Sequence, residues 1–174
     1  LAGCSLPRAE ILRALVGLTG DALAPVRSDA FLALSQFPGT DTELILRTKA
    51  LAGDNSAEVV GQCFTSLLAL APKESLPFVS GFLARRGDLA MEAASALGSC
   101  PEPGAIELLE QHYASESDAE LRRAILLSLA GSRLEQACDF LVAVVRNGRE
   151  RDAVHARDAL KSSRFREVLE SIDS

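Results

Sequence analysis

The stretch VRSDAFLAL at residues 26–34 decides the fold, because degraded copies of it recur along the chain. The five copies end at Leu34, Leu67, Leu97, Leu129 and Leu160, so their terminal leucines are 33, 30, 32 and 31 residues apart. A regular period of this length is typical of arrays in which each repeat is one supersecondary unit. The sequence therefore predicts about five repeats.

Each copy has apolar or small residues at its first, fifth, eighth and ninth positions, which is the spacing of an amphipathic helix. We call this helix B. A second apolar periodicity, helix A, lies outside the copies at residues 11–18, 44–51, 76–83, 106–113, 134–145 and 165–172. The predicted unit is a helical hairpin, and the chain is predicted to form five hairpins plus a terminal helix.

Composition agrees with an all-α structure. The 174 residues include 28 leucines and 27 alanines, and aromatic residues make up only 5%. Leucine and alanine are among the strongest helix formers, so we expect more than about 65% helix and no sheet. The predicted core is Val26, Ala30, Leu34, Val59, Cys63, Leu67, Ala93, Leu97, Leu121, Ile125, Leu129, Ala156 and Leu160.

Cap and turn residues mark the predicted helix boundaries. Pro25 suits a first helical turn, and Gly53, Gly87 and Gly148 are expected to close A helices in the left-handed conformation. Aspartates precede most B helices as candidate caps, namely Asp21, Asp54, Asp88, Asp118 and Asp152. Aspartate favours such positions because its carboxylate accepts hydrogen bonds from the first helical N–H groups.

Several functional classes are disfavoured by composition and by missing motifs. The net charge of −6 and a pI of about 5.0 argue against a nucleic-acid binder, and no stretch is apolar for long enough to span a membrane. The four cysteines are too widely spaced for a zinc knuckle, and the histidines fit no catalytic pattern. We therefore expect no catalytic residue, no metal and no cofactor.

The repeat resembles the HEAT-repeat superfamily, and in particular the short HEAT-like repeats of phycobilisome lyases. The matching motif, an aspartate followed by V-R-x-x-A-x-x-A-L, stands here as Asp21 and residues 26–34, with a partial match at Asp118 and residues 121–122. The resemblance implies an α-α superhelix, or α-solenoid, of armadillo type. It also implies a ladder of Asp–Arg contacts between repeats, in which Arg122 would join Asp118.

That ladder is expected to be interrupted in places, because Val60, Ala90 and Ala153 replace the arginine in the other repeats.

The chain ends suggest a fragment of a longer repeat array spanning residues 1–174. Leu1 lies in repeat phase with Leu34, and residues 165–172 form an A helix without a B partner. A second interpretation of Leu1-Ala2-Gly3-Cys4 is the remnant of a bacterial lipobox. The first interpretation favours a cytoplasmic protein, and the second favours a lipid-anchored periplasmic one.

The outward positions of the B helices are mostly uncharged, unlike the outer positions of the A helices. Those at the third position are Ser28, Gly61, Met91 and Arg123, and those at the seventh include Leu32, Thr65, Ser95 and Leu127. An uncharged strip is typical of a protein-binding surface. The alternative is that these side chains are small so that repeats can stack closely.

The candidate binding residues are therefore Leu32, Thr65, Ser95, Leu127 and, as a charged anchor, Arg123. The basic pair Arg85-Arg86 is expected at the end of an A helix, where cations favour the helix dipole.

Three functions remain open. The first is a noncatalytic scaffold that binds a protein or peptide along the B-helix face. The second is an enzyme-associated module resembling phycobilin lyase subunits, and the third is a structural spacer in a multidomain protein.

Overall fold

A computed structural model describes residues 7–173, without the side chains of residues 171–173. The structure is 76% helix, and residues 7–173 contain no strand. The helices in this range are α1 (Arg8–Leu18), α2 (Ala24–Leu34), α3 (Thr40–Ala52), α4 (Ala57–Leu70), α5 (Pro72–Ser80), α6 (Asp88–Gly98), α7 (Pro103–Ser115), α8 (Ala119–Ala130), α9 (Glu135–Asn147), α10 (Glu150–Lys161) and α11 (Arg166–Asp173). The predicted all-α class is confirmed.

The chain divides into two compact units, with the boundary between Leu70 and Ala71. The first unit contains α1 to α4. Helix α1 packs against α2, and α3 packs against α4, so the first two predicted hairpins form. The two B helices, α2 and α4, also pack against each other.

The second unit contains α5 to α11 and has the same neighbour pattern. Its hairpins pair α5 with α6, α7 with α8, and α9 with α10. The B helix α8 contacts both α6 and α10, while the A helix α7 contacts both α5 and α9. The terminal helix α11 packs against α10.

Aliphatic and small side chains fill the predicted core positions, and Phe31 and Phe64, which were not predicted as core, are also fully buried. Every predicted core residue except Val26 is buried. Val26 is half-buried, so its assignment to the core was wrong. In the first turn of α2 it is Arg27, and not its neighbour Val26, that faces the core. The buried residues of α2 are Arg27, Ala30, Phe31 and Leu34.

Helix α5 ends earlier than the apolar periodicity predicts. It stops at Ser80, and Gly81 follows as its C-cap. The N–H groups of Phe82 and Leu83 then donate to carbonyls only three residues back, at 3.0 Å each, which tightens the chain into turns. Leu83 remains buried, but Arg85 and Arg86 lie in the α5–α6 loop rather than at a helix end.

The predicted cap residues behave in three ways. Gly53 closes α3 with a positive φ of +79°, as predicted, whereas Gly148 closes α9 with a φ of −74°. The prediction for Gly87 was wrong, because this glycine has a φ of +81° but is the N-cap of α6, while Gly81 closes α5. Asp118 is the N-cap of α8, and its carboxylate accepts from the N–H groups of Glu120 and Leu121. Asp88 and Asp152 do not precede their helices but lie within the first turns of α6 and α10.

Gly98 at the end of α6 lies close to the backbone of the neighbouring B helix α8. A Cβ atom at residue 98 would lie 2.5 Å from the carbonyl oxygen of Ser128 on α8 and 2.7 Å from its carbonyl carbon. Both are backbone atoms, so the contact can be relieved only by moving α6 away from α8.

We therefore expect Gly98→Ala to lower the free energy of unfolding by about 1–3 kcal/mol. Urea denaturation followed by circular dichroism at 222 nm measures this. Gly17→Ala in α1 is the matched control, because nothing lies within 4 Å of a Cβ there. It should raise stability by about 0.5–1 kcal/mol. Equal effects of the two substitutions would contradict the close approach.

None of the helices in residues 7–173 has the length and apolar character that crossing a membrane requires. The interpretations of Leu1–Cys4 concern residues that lie outside the described part of the chain.

Candidate binding surface

The predicted strip residues of the first unit are exposed on its B helices. Leu32 on α2 is 47% exposed, and Thr65 on α4 is also exposed. The Thr65 hydroxyl donates to the carbonyl of Gly61 on its own helix, at 3.1 Å. Its methyl group and the Leu32 side chain are the apolar groups that these two positions offer to solvent.

Two other predicted outward positions of the first unit do not face outward. Gly61 is buried and Ser28 is half-buried. Eight of the fourteen residues of α4 are buried, which leaves little of the surface of this helix free. The predicted strip is therefore narrower here, with one position per helix.

The predicted strip residues of the second unit are exposed on α6 and α8. Ser95 and Met91 are exposed on α6, and Arg123 and Leu127 are exposed on α8. Leu127 is 48% exposed even though α8 contacts four other helices. Both predicted outward positions are thus open on these two helices.

Arg123 already has an acidic neighbour on its own helix. Its Nη1 lies 3.9 Å from the Glu120 carboxylate, and Nη2 of Arg151 on α10 approaches the same carboxylate at 3.7 Å. All three side chains are more than half exposed, so this network contributes little to stability. A ligand that uses Arg123 would have to compete with Glu120.

Arg27 connects two consecutive hairpins of the first unit. Its Nη1 donates to the carbonyls of Asp21 and Ala22 at 2.8 and 3.1 Å, in the loop before its own helix. Its Nε donates to the Asp54 carboxylate in the next hairpin at 3.0 Å. We call this arrangement an arginine clamp.

A second cation supports the Asp54 carboxylate. The Nζ of Lys49 lies 2.6 Å from Asp54 Oδ2. Hydrogen bonds from Arg27 and Lys49 hold the pKa of Asp54 well below its usual range, and the bond from Arg27 has the larger effect. The carboxylate therefore stays ionised and bridges two cations.

Arg122 forms the same clamp in the second unit. Its Nη1 donates to the carbonyls of Glu116 and Ser117, both at 3.0 Å, and its Nε donates to the Asp152 carboxylate at 3.1 Å. The expectation that Arg122 would join Asp118 was wrong. The Asp118 carboxylate caps α8, so Arg122 bonds to the aspartate of the following hairpin.

The sequence indicated which helices carry a clamp. Val60 and Ala90 stand at the equivalent positions of α4 and α6, and both are buried apolar residues. The partner of each arginine lies 27 or 30 residues away and could not be read from the local motif.

A cleft of about 440 Å³ opens in the second unit between the α5–α6 loop and the α7–α8 loop. Arg85 and Arg86 line one wall, and Glu116, Asp118 and Glu120 line the other. Leu83, Met91 and Leu121 supply its apolar lining. The repeat pattern does not predict this cleft, because its two walls come from the loops of successive hairpins.

The Glu116 carboxylate organises the acidic wall. It accepts the N–H groups of Ser117 and Asp118, both at 2.7 Å, and lies 3.1 Å from Nε2 of His112. These bonds hold the pKa of Glu116 below its usual value, and the N–H of Asp118 has the largest effect. The α7–α8 loop is thus fixed from both sides, by Glu116 and by Arg122.

The cysteines of the described region carry no reactive arrangement. Cys63, Cys100 and Cys138 are buried free thiols, and burial raises the pKa of Cys63 to about 12. A thiol with so high a pKa is a poor nucleophile at neutral pH. No group of three or more candidate ligands that could hold a metal ion occurs among the described residues.

No protein-family model matches the chain. No curated protein matches it either.

Proposed function

We propose that the chain is a noncatalytic interaction scaffold, an α-solenoid of HEAT-like hairpins that binds a protein or peptide on the exposed face of its B helices. Packing inside each unit supports the solenoid. B helices contact B helices, and hairpins recur with the period of the sequence repeat. Stacking of this kind buries the apolar faces that a single hairpin leaves open.

The two arginine clamps give independent support. A HEAT-like ladder joins each repeat to the next through an arginine and an aspartate, and Arg27 and Arg122 make such contacts with Asp54 and Asp152. In both clamps the accepting carbonyls lie six and five residues before the arginine. A contact repeated with the same geometry favours repeats of common design.

The observation that carries the binding role is the exposure of Leu127 on α8, a helix that contacts four others in the second unit. Met91, on the adjacent α6, is 38% exposed, and Ser95 on the same helix is uncharged. The exposed positions of α7 and α9 are instead mainly charged or polar, namely Glu107, Gln111, Glu135, Asp139 and Arg146. Exposed apolar side chains on one set of helices, beside helices with charged surfaces, are typical of a protein-interaction site.

The binding face predicts a selective loss in a double variant. Peptides selected from a random phage-displayed library on the wild-type protein should bind the Leu127→Asp/Arg123→Glu variant at least about tenfold more weakly. The helical signal and the melting temperature should stay nearly unchanged, because both side chains are exposed. Biolayer interferometry of the selected peptides measures the loss.

A matched control distinguishes this face from surface charge in general. Ala143→Asp/Arg146→Glu places the same new charges at exposed positions of the A helix α9 and should leave peptide binding intact. Equal binding by wild type and the α8 variant would contradict the proposed face. Failure of the library to yield any specific peptide would favour the structural spacer instead.

A further inference from the structure

The cleft between the α5–α6 and α7–α8 loops has an acidic wall and a basic wall, and the two walls differ in how their side chains are engaged. Its three carboxylates are already engaged. Glu116 accepts two backbone N–H groups and contacts His112, Asp118 caps α8, and Glu120 lies between two arginines. Each carboxylate of the acidic wall therefore already has a partner within the protein.

The arginines of the basic wall, in contrast, have no acidic partner among the described residues. No carboxylate of residues 7–170 forms an ion pair with Arg85 or Arg86, and both side chains are exposed. The Arg85 guanidinium stacks over the Phe82 ring, 4.2 Å from its centroid. This stacking holds the group in place while its N–H donors remain open to an acceptor.

The backbone that presents these arginines is also fixed. The N–H of Arg85 donates to the carbonyl of Phe82 at 3.0 Å, and Phe82 itself is buried. Gly87 then turns the chain into α6 with a φ of +81°, a conformation that side chains other than glycine rarely adopt. The loop is anchored at both ends, so a ligand would not have to order it.

We propose that this cleft binds a short acidic segment of a protein partner, with an aspartate or glutamate carboxylate held by Arg85 and Arg86. A neighbouring apolar side chain of the segment packs on Met91, whose thioether adapts to varied shapes. The inference rests on the proposed scaffold function and names the chemistry of one of its ligands. The two guanidinium groups of the basic wall support it, since guanidinium groups match carboxylates in bidentate geometry.

A carboxylate fits this cleft better than a phosphate or a nucleic acid. The opposite wall carries Glu116, Asp118 and Glu120, whose negative charges repel a dianion more strongly than a monoanion. Nucleic-acid binding also requires a larger basic surface than two arginines on a chain of net charge −6.

The test uses blocked pentapeptides with leucine on each side of a central residue. That residue is aspartate in the probe and asparagine or phosphoserine in the comparisons. Titration into the ¹⁵N-labelled full chain should shift the amide signals of residues 84–87, 91 and 116–121 with the aspartate peptide. The asparagine and phosphoserine peptides should bind at least about tenfold and about threefold more weakly, respectively.

Arg85→Gln/Arg86→Gln should weaken binding of the aspartate peptide at least about tenfold. Arg133→Gln/Arg146→Gln removes the same charge from exposed positions outside the cleft and should not. The amide spectra of both variants report directly whether they are folded.

Three results would overturn the cleft proposal. They are shifts that map elsewhere, equal binding of the aspartate and asparagine peptides, and tighter binding of the phosphoserine peptide. The scaffold proposal has a separate readout. If library peptides still depend on Leu127 while the aspartate peptide fails, the scaffold stands and the acidic-ligand cleft does not.

Discussion

Replacing Arg122 with methionine is expected to lower the free energy of unfolding by about 3–5 kcal/mol. The substitution leaves the Asp152 carboxylate, which is 2% exposed, without a cation within ion-pair distance among the described residues. It also removes the donor to the Glu116 and Ser117 carbonyls, which lose their side-chain partner. Urea denaturation at pH 7 measures the loss.

Two further variants show whether the loss of stability comes from the buried Asp152 carboxylate that has lost its arginine. Arg122→Met/Asp152→Leu removes both charges and should recover a large part of the stability. Arg27→Met in the first unit should cost less than Arg122→Met, because Lys49 still contacts Asp54. A double variant as unstable as Arg122→Met would show that the buried charge is not the cause.

Leu97→Ala is expected to cost about 2–5 kcal/mol, through lost apolar burial and the cavity that remains. Leu97 is fully buried in α6, a helix that contacts α5, α7 and α8. Leu127→Ala makes the same truncation at a half-exposed position and should change stability by less than about 0.5 kcal/mol. Thermal and urea unfolding of the two variants are compared with wild type.

A loss below about 0.5 kcal/mol for Leu97→Ala would mean that the register of the repeat is wrong. A large loss for Leu127→Ala would mean that this side chain belongs to the core and not to a binding face.

Periodicity predicted the helices well because burial repeats with the turn of each helix. Leu34, Leu67, Leu97, Leu129 and Leu160 are all fully buried. The apolar pattern was less reliable at helix ends, because backbone hydrogen bonding determines where a helix stops. Gly81 ended α5 before the last apolar residues of the predicted helix, which moved Arg85 and Arg86 into a loop.

The contacts between repeats could not be predicted from one helix at a time. The motif placed Arg27 and Arg122 at equivalent positions, but their carboxylate partners come from the next hairpin and occupy different local positions. Asp54 lies in a loop, and Asp152 lies in the first turn of α10. The cleft could not be predicted for the same reason. The only sign of it in the sequence is the basic pair Arg85-Arg86, which stands between Gly81 and Gly87.

An amide chemical-shift map tests most directly whether a protein or peptide ligand binds to the B-helix face. A peptide selected on the wild-type protein is titrated into the ¹⁵N-labelled chain. We predict that the largest shifts fall on exposed B-helix positions of the unit that the peptide binds, namely Leu32 and Thr65 in the first unit or Ser95 and Leu127 in the second. Shifts concentrated on the exposed positions of α7 and α9, such as Glu107 and Asp139, would contradict the account.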